Sequence, residues 1–196
     1  MLPEEMIAKA PVEVLRNLDI IPSHIRLTAT ERRLVSSPAR EHILERWLKK
    51  HEDYLSQYDY MLVDTNPSMG DINQNAFMAA DAIILVSDIS RKAVVGAELF
   101  TYLWGEVLEA MQMESNVKAL VINNYDKRMK KASELREFYA EHEEFGDLLL
   151  NTVIPSRVDI KETETAFLPI NLLAPKSDAC AAFRAVVNEL KERGVL

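Results

Sequence analysis

Short apolar runs alternate along the chain with longer stretches whose apolar residues recur every three or four positions. Tyr60–Val63, Ala82–Val86, Val117–Ile122 and Leu148–Ile154 are runs of strand length bounded by polar or turn-forming residues. The first enters an acidic, turn-rich stretch, Asp64-Thr65-Asn66-Pro67-Ser68-Met69-Gly70, and the last is closed by Pro155. Leu18–Ile21 is a further β-like run stopped by Pro22-Ser23, and Ile170–Leu173 reads as a weak strand. Between these runs lie the helical patterns. Ser37-Pro38 supplies an N-cap and a first-turn proline, followed by Ile43, Leu44, Trp47, Leu48 and Leu55 at helical spacing. Asp71–Ala80, Lys92–Met113, Lys131–Glu143 and Ser177–Arg193 continue the series. Strands alternating with helices predict right-handed crossovers and a doubly wound, mostly parallel sheet in an α/β fold.

Composition narrows the class. The 196 residues suit one domain, 1–196, and 48% hydrophobic with 28% charged residues is the balance of a globular protein. A net charge of −8 argues against a generally basic surface, although a local patch can still hold phosphates. The single cysteine, Cys180, lies in an alanine-rich helical pattern and reads as a buried structural thiol. No apolar run approaches a membrane span, and Met1-Leu2-Pro3-Glu4-Glu5 lacks the regions of a signal peptide, so a cytoplasmic protein without membrane contact is expected. The four histidines have no zinc-site spacing, and no Gly-x-Ser-x-Gly elbow is present.

Candidate chemistry centres on Asp64. In open α/β sheets ligands bind beyond the carboxyl ends of the strands, where an aspartate offers a hard oxygen to magnesium, directly or through water. A turn-forming or helix-capping role fits the same residue.

The residues around it resemble a known family. Tyr58-Asp59 to Asp64, Asn66-Pro67-Ser68 and Ala79-Ala80-Asp81 are similar to a passage of the ParA/Soj/MinD family of partition ATPases. The similarity continues in Asp19-Ile20-Ile21-Pro22-Ser23, Ala93–Gly96, Asn123-Asn124-Tyr125-Asp126, Val153-Ile154-Pro155 and Ala174-Pro175-Lys176-Ser177. The resemblance implies a P-loop NTPase fold, ATP and magnesium as ligands, and Asp64 as the Walker B-like metal residue. It places Asn123, Pro155 and Ser156 on the adenine side, although Asn123 also suits a strand-end turn. It implies plasmid or chromosome partition, a ParB-like partner, a homodimer and nonspecific DNA. The basic group Lys127, Arg128, Lys130 and Lys131 is the candidate DNA surface, and a solvated loop entering a charged helix explains it equally well.

Two family features are missing from these residues. No KGGxGKT phosphate loop and no DxDPQ strand end occurs, and the five glycines, 70, 96, 105, 146 and 194, are dispersed. Phosphate binding needs successive backbone N–H groups and a lysine. The expectation is therefore the carboxyl-terminal part of such an ATPase domain, lacking its first strands and helix and not hydrolytic alone. A non-catalytic interaction module derived from the same fold is the alternative. Asn66 also stands where the family has the first proline of its PPS sequence.

Overall fold

The computed structural model describes residues 3–9 and 17–196. The chain falls into two compact units, one ending at Ala80 and one spanning Asp81–Leu196. In the first, α1 (Pro3–Met6) leads into β1 (Ala8–Lys9), which pairs antiparallel with β2 (Asp19–Ile20). This two-residue ladder is all that forms of the predicted run Leu18–Ile21, whose Leu18, Ile20 and Ile21 remain about half exposed. Next come α2 (Leu27–Leu34), α3 (Ile43–Lys50), α4 (Glu52–Leu55) and α5 (Asp71–Ala79).

Two expectations fail in this unit. Ser37-Pro38 does not start the helix. A turn intervenes, with Ala39 in the left-handed region at φ 47° and a short 3-10 segment at Arg40–His42. Arg40 donates to the Val35 carbonyl and Arg46 to that of Ala39, which holds the turn closed and delays α3 to Ile43.

The predicted central strand Tyr60–Val63 is likewise not a strand. It belongs to no ladder among the described residues, and Leu62 is 86% exposed. Its apolar composition is suited to burial between two layers. A strand also needs a neighbour to take its N–H and C=O groups, and among the described residues no strand of this unit pairs with it.

The second unit carries the parallel sheet. Its elements are β3 (Ile83–Ser87), α6 (Arg91–Met111), β4 (Val117–Tyr125), α7 (Lys130–Glu141), β5 (Leu149–Pro155), α8 (Val158–Ala166), α9 (Ile170–Leu173) and α10 (Asp178–Glu192). The sheet order is β3-β4-β5, all parallel. Ile170–Leu173, read as a weak strand, is the helical turn α9, entered through Pro169, whose extended backbone permits a helix to begin after it.

The central strand β4 shows why helices cover both faces. Leu120 and Ile122 pack with Val94 of α6, Tyr139 of α7 and Phe145. Ala119 and Val121, pointing the other way, pack with Leu150, Ile154 and Leu190 of α10. The buried Ser87 hydroxyl pairs with that of Tyr139 at 2.7 Å, tying the end of β3 to α7. Ser90 and Ser177 cap α6 and α10 by accepting from the N–H groups of Ala93 and Cys180. Cys180 is fully buried, as its alanine-rich surroundings predict.

The outer edge of β5 is covered by α10. Glu189 accepts from the Asn151 and Thr152 N–H groups, and Arg193 donates to the Asp147 and Leu149 carbonyls. Side chains thus satisfy backbone groups that would otherwise present an open edge. Among the described residues no helix is long and apolar enough to cross a membrane.

Candidate functional site

Asp64 stands in the first unit, exposed, on the irregular segment between α4 and α5. The loop that follows is shaped by α5. Asn73, only 5% exposed, turns its side-chain amide nitrogen onto four acceptors: the carbonyl and side-chain oxygens of Asn66 and of Ser68, at 2.7–3.1 Å. One NH2 group has two hydrogens, so these bonds are shared, and the amide gathers the loop into a knot. Asn66 supports the knot by accepting from the Ser68 hydroxyl at 2.8 Å, a bond that proline could not supply.

Asn75, also buried, does similar service two residues on. It accepts from the Leu44 N–H at the uncapped start of α3 and donates to the Arg40 and Asp71 carbonyls, while Arg40 pairs with Asp71 at 2.9 Å. Sequence reading missed both asparagines, because an amide in a helical pattern looks like a solvent-facing polar position. The signal available was Asn66-Pro67-Ser68 followed, within the next helical pattern, by three amides, Asn73-Gln74-Asn75.

Replacing Asn73 with alanine is expected to remove the donor shared by the exposed Asn66 and Ser68 oxygens and to lower stability by about 0.5–1.5 kcal/mol. Limited proteolysis should show earlier cleavage between residues 64 and 70 than in the parent chain. Unchanged cleavage and an unchanged urea midpoint would show that the amide does not hold this loop.

The remaining candidates lie in the second unit, at the carboxyl ends of β4 and β5. Tyr125 and Pro155 are register partners, and the Ser156 N–H donates to the Tyr125 carbonyl at 2.9 Å, so Asn123, Pro155 and Ser156 come to one end of the sheet. Asn123 is exposed there, and Asn124 beside it is left-handed at φ 55°. An asparagine tolerates that conformation more readily than most residues.

Ion pairs frame this end. Arg128 grips Asp126 through two nitrogens, at 2.9 and 2.7 Å, and this pairing draws the Asp126 carboxyl down to about 2. Arg157 grips Asp178 at the start of α10 in the same manner, lowering that carboxyl too. Lys130 lies 3.6 Å from Glu134. Of the four predicted basic residues, Arg128 is therefore committed to its own loop, whereas Lys127 and Lys131 have no ion pair among the described residues. Lys130 and Lys131 open α7, whose first turn carries no acidic residue. Their charges add to the positive end of the helix dipole and concentrate positive potential there.

The donors suit the ligands unequally. A carboxylate that is exposed and has no hydrogen bond or ion pair among the described residues fits a magnesium ion or one of its waters. Phosphates find no cradle of successive glycine N–H groups in these residues. No group of three or more His, Cys, Asp or Glu side chains is arranged to hold a metal among the described residues, so Asp64 would be one ligand of an ion held mainly by others.

A family model described as AAA domain matches residues 2–119. An uncharacterized protein of Mycobacterium tuberculosis (strain H37Rv) is 34% identical over 179 residues, covering 91% of this chain and 55% of the relative. The sporulation initiation inhibitor protein Soj of Bacillus subtilis is 27% identical over 180 residues, covering 92% and 69%. The chain belongs to the ParA/Soj/MinD family of partition ATPases.

Its fold is accordingly that of P-loop NTPases of the ParA and MinD type, with few strands. A solved structure of cobyrinic acid a,c-diamide synthase from Mycobacterium smegmatis, with a bound ATP analogue and magnesium, matches with a TM-score of 0.73 at 21% identity, covering 94% of this chain and 65% of that one. Such a likeness speaks to the fold alone. This ParA-family chain spans about half the length of the Mycobacterium tuberculosis relative.

Proposed function

We propose that residues 1–196 act as the carboxyl-terminal part of a cytoplasmic ParA-type partition ATPase domain, serving plasmid or chromosome segregation and hydrolysing ATP only when a phosphate loop is supplied by polypeptide outside these residues. One observation carries the reading. Asp64, at the end of the apolar run that matches the family, is exposed and has no hydrogen bond or ion pair among the described residues, as a carboxylate reserved for a cation should be.

In this reading Asp64 holds magnesium, directly or through water, and the amide of Asn73 keeps the loop beyond it in shape. Asn123, with one donor and one acceptor, meets the adenine edge, and Pro155 and Ser156 flank it. ATP and magnesium, when bound, supply the phosphoryl group and the charge that neutralises it. Positioning and charge neutralisation dominate phosphoryl transfer, so in this reading the chain alone, without that lysine and those glycine N–H groups, does not hydrolyse ATP. Lys127, Lys130 and Lys131 face DNA phosphates, with Arg128 bracing their loop. A ParB-like partner and homodimerisation complete the proposal. Exposed Leu62 and Val63 are the apolar surface that association would cover.

The dispersal of all five glycines favours a second reading, in which the same fold is a non-catalytic interaction module. Calorimetric titration with magnesium ATP separates the two. The chain is titrated alone and again with an amino-terminal ParA-family segment bearing the KGGxGKT loop. Binding only in the second case is the expected result, and no binding in either supports the module.

A further inference from the structure

We infer that Arg128 keeps the proposed base site selective for adenine over guanine, by occupying the Asp126 carboxylate that a guanine would otherwise bind. The inference rests on the reading that sets a base against Asn123, Pro155 and Ser156, and it adds the residue that chooses between the two purines. Asp126 follows directly on β4, three positions after Asn123, and the Ser156 N–H donates to the carbonyl of the adjacent Tyr125. Asn123 and Asp126 thus belong to the same end of the sheet. Both oxygens of Asp126 are taken. Oδ1 accepts from the Arg128 backbone N–H at 3.0 Å and from its Nε at 2.9 Å, while Oδ2 accepts from Nε at 3.2 Å and from a terminal guanidinium nitrogen at 2.7 Å. The Asp126 side chain is 22% exposed and that of Arg128 is 85% exposed, so the guanidinium covers the carboxylate on its open side.

The two purines differ along one edge. Guanine presents two adjacent donors, N1–H and the N2 amino group, beside the O6 acceptor, whereas adenine presents its N6 amino group beside a bare N1 lone pair. A free carboxylate accepts both guanine donors in parallel, in the way it now accepts from the guanidinium. Against adenine the same carboxylate meets the N1 lone pair and repels it. Asn123 cannot make this choice, because its carboxamide holds donors and an acceptor and serves either base. Selection therefore falls to Asp126, and Arg128 withdraws it from reach. Without Arg128 the group is still a carboxylate at neutral pH, since Arg157 continues to act on it and an ordinary aspartate ionises well below pH 7. An exposed ion pair of this kind adds little to folding stability, so its larger effect is on what the carboxylate can accept.

Fluorescence titration with methylanthraniloyl-labelled ATP and GTP, in the presence of magnesium, tests it on the full chain combined with an amino-terminal ParA-family segment bearing the KGGxGKT loop. The parent is expected to prefer the ATP analogue. Arg128→Ala and Arg128→Met are each expected to move the affinity ratio toward the GTP analogue by about tenfold or more, the discrimination that one bidentate base contact supplies. Adding Asp126→Asn to Arg128→Ala is expected to reverse most of that shift, because a carboxamide has one acceptor oxygen where the carboxylate has two. Circular dichroism checks that each variant keeps the parent fold. Binding of the ATP analogue by the parent with an unchanged ratio in both Arg128 variants overturns this inference alone. So does a shift that Asp126→Asn leaves in place, since the carboxylate would then not be what guanine meets. Binding of neither analogue by any of the combined proteins overturns the nucleotide reading and this inference together.

Discussion

Asp64→Ala is expected to abolish magnesium-dependent ATP hydrolysis by the chain combined with a phosphate-loop segment, by about 100-fold or more, while leaving the thermal midpoint of the chain almost unchanged. Stabilisation of transition-state charge by a bound metal is worth several kcal/mol, and each 1.4 kcal/mol is roughly tenfold in rate. The second half of the expectation follows from exposure. A side chain with no hydrogen bond or ion pair among the described residues removes little when truncated, and surface substitutions of this kind stay within about 0.5 kcal/mol. Asp64→Asn keeps the shape without the charge and should behave like alanine in the assay. Phosphate release and a thermal melt measure the two quantities on the same preparation. Hydrolysis by Asp64→Ala at the parent rate would remove the aspartate from the metal site. A drop in melting temperature comparable with a core mutation would instead assign it to turn formation.

The largest loss of stability is expected from Trp104→Ala. Trp104 is 1% exposed and among the largest fully buried side chains of the second unit, and its Nε1 donates to the Asn116 side-chain oxygen at 2.9 Å, where the chain enters β4. Truncation removes the indole contacts, opens a cavity in the packing of α6 and deprives Asn116 of a donor. Together these cost about 3–5 kcal/mol, a large part of the 5–15 kcal/mol typical of a folded domain. Trp104→Phe retains much of the packing and loses the hydrogen bond, with an expected cost of about 1–2 kcal/mol. Urea denaturation followed by far-ultraviolet circular dichroism checks both. Similar midpoints for the two variants would mean that the hydrogen bond, not the packing, carries the contribution.

Periodicity and strand order agree where a run finds neighbours in its own unit. Ala82–Val86, Val117–Ile122 and Leu148–Ile154 lie at β3, β4 and β5, and each crosses from one to the next through a helix whose apolar stripe was visible as spacing. Tyr60–Val63 has the same local composition and fails, because a ladder is a property of two segments and only one of them can be read at a time. Ile170–Leu173 shows the complementary error. Four apolar residues suit a strand or one helical turn equally, and Pro169 together with its bonds from Leu172 and Leu173 settles on the turn.

Family membership was legible in residue order, since the matching passages retain both their spacing and their sequence. So was the lack of a KGGxGKT sequence in these residues, which is read from adjacent positions. What folding alone decided is long-range and polar. Asn73 and Asn75 are buried where α5 meets segments earlier in the chain, Arg157 is occupied by Asp178, and an acidic aromatic groove is lined by residues of both α6 and α7. Short-range chemistry is written along the chain, whereas hydrogen-bond partners distant in sequence, and the surfaces left uncovered, exist only after packing has chosen which groups meet.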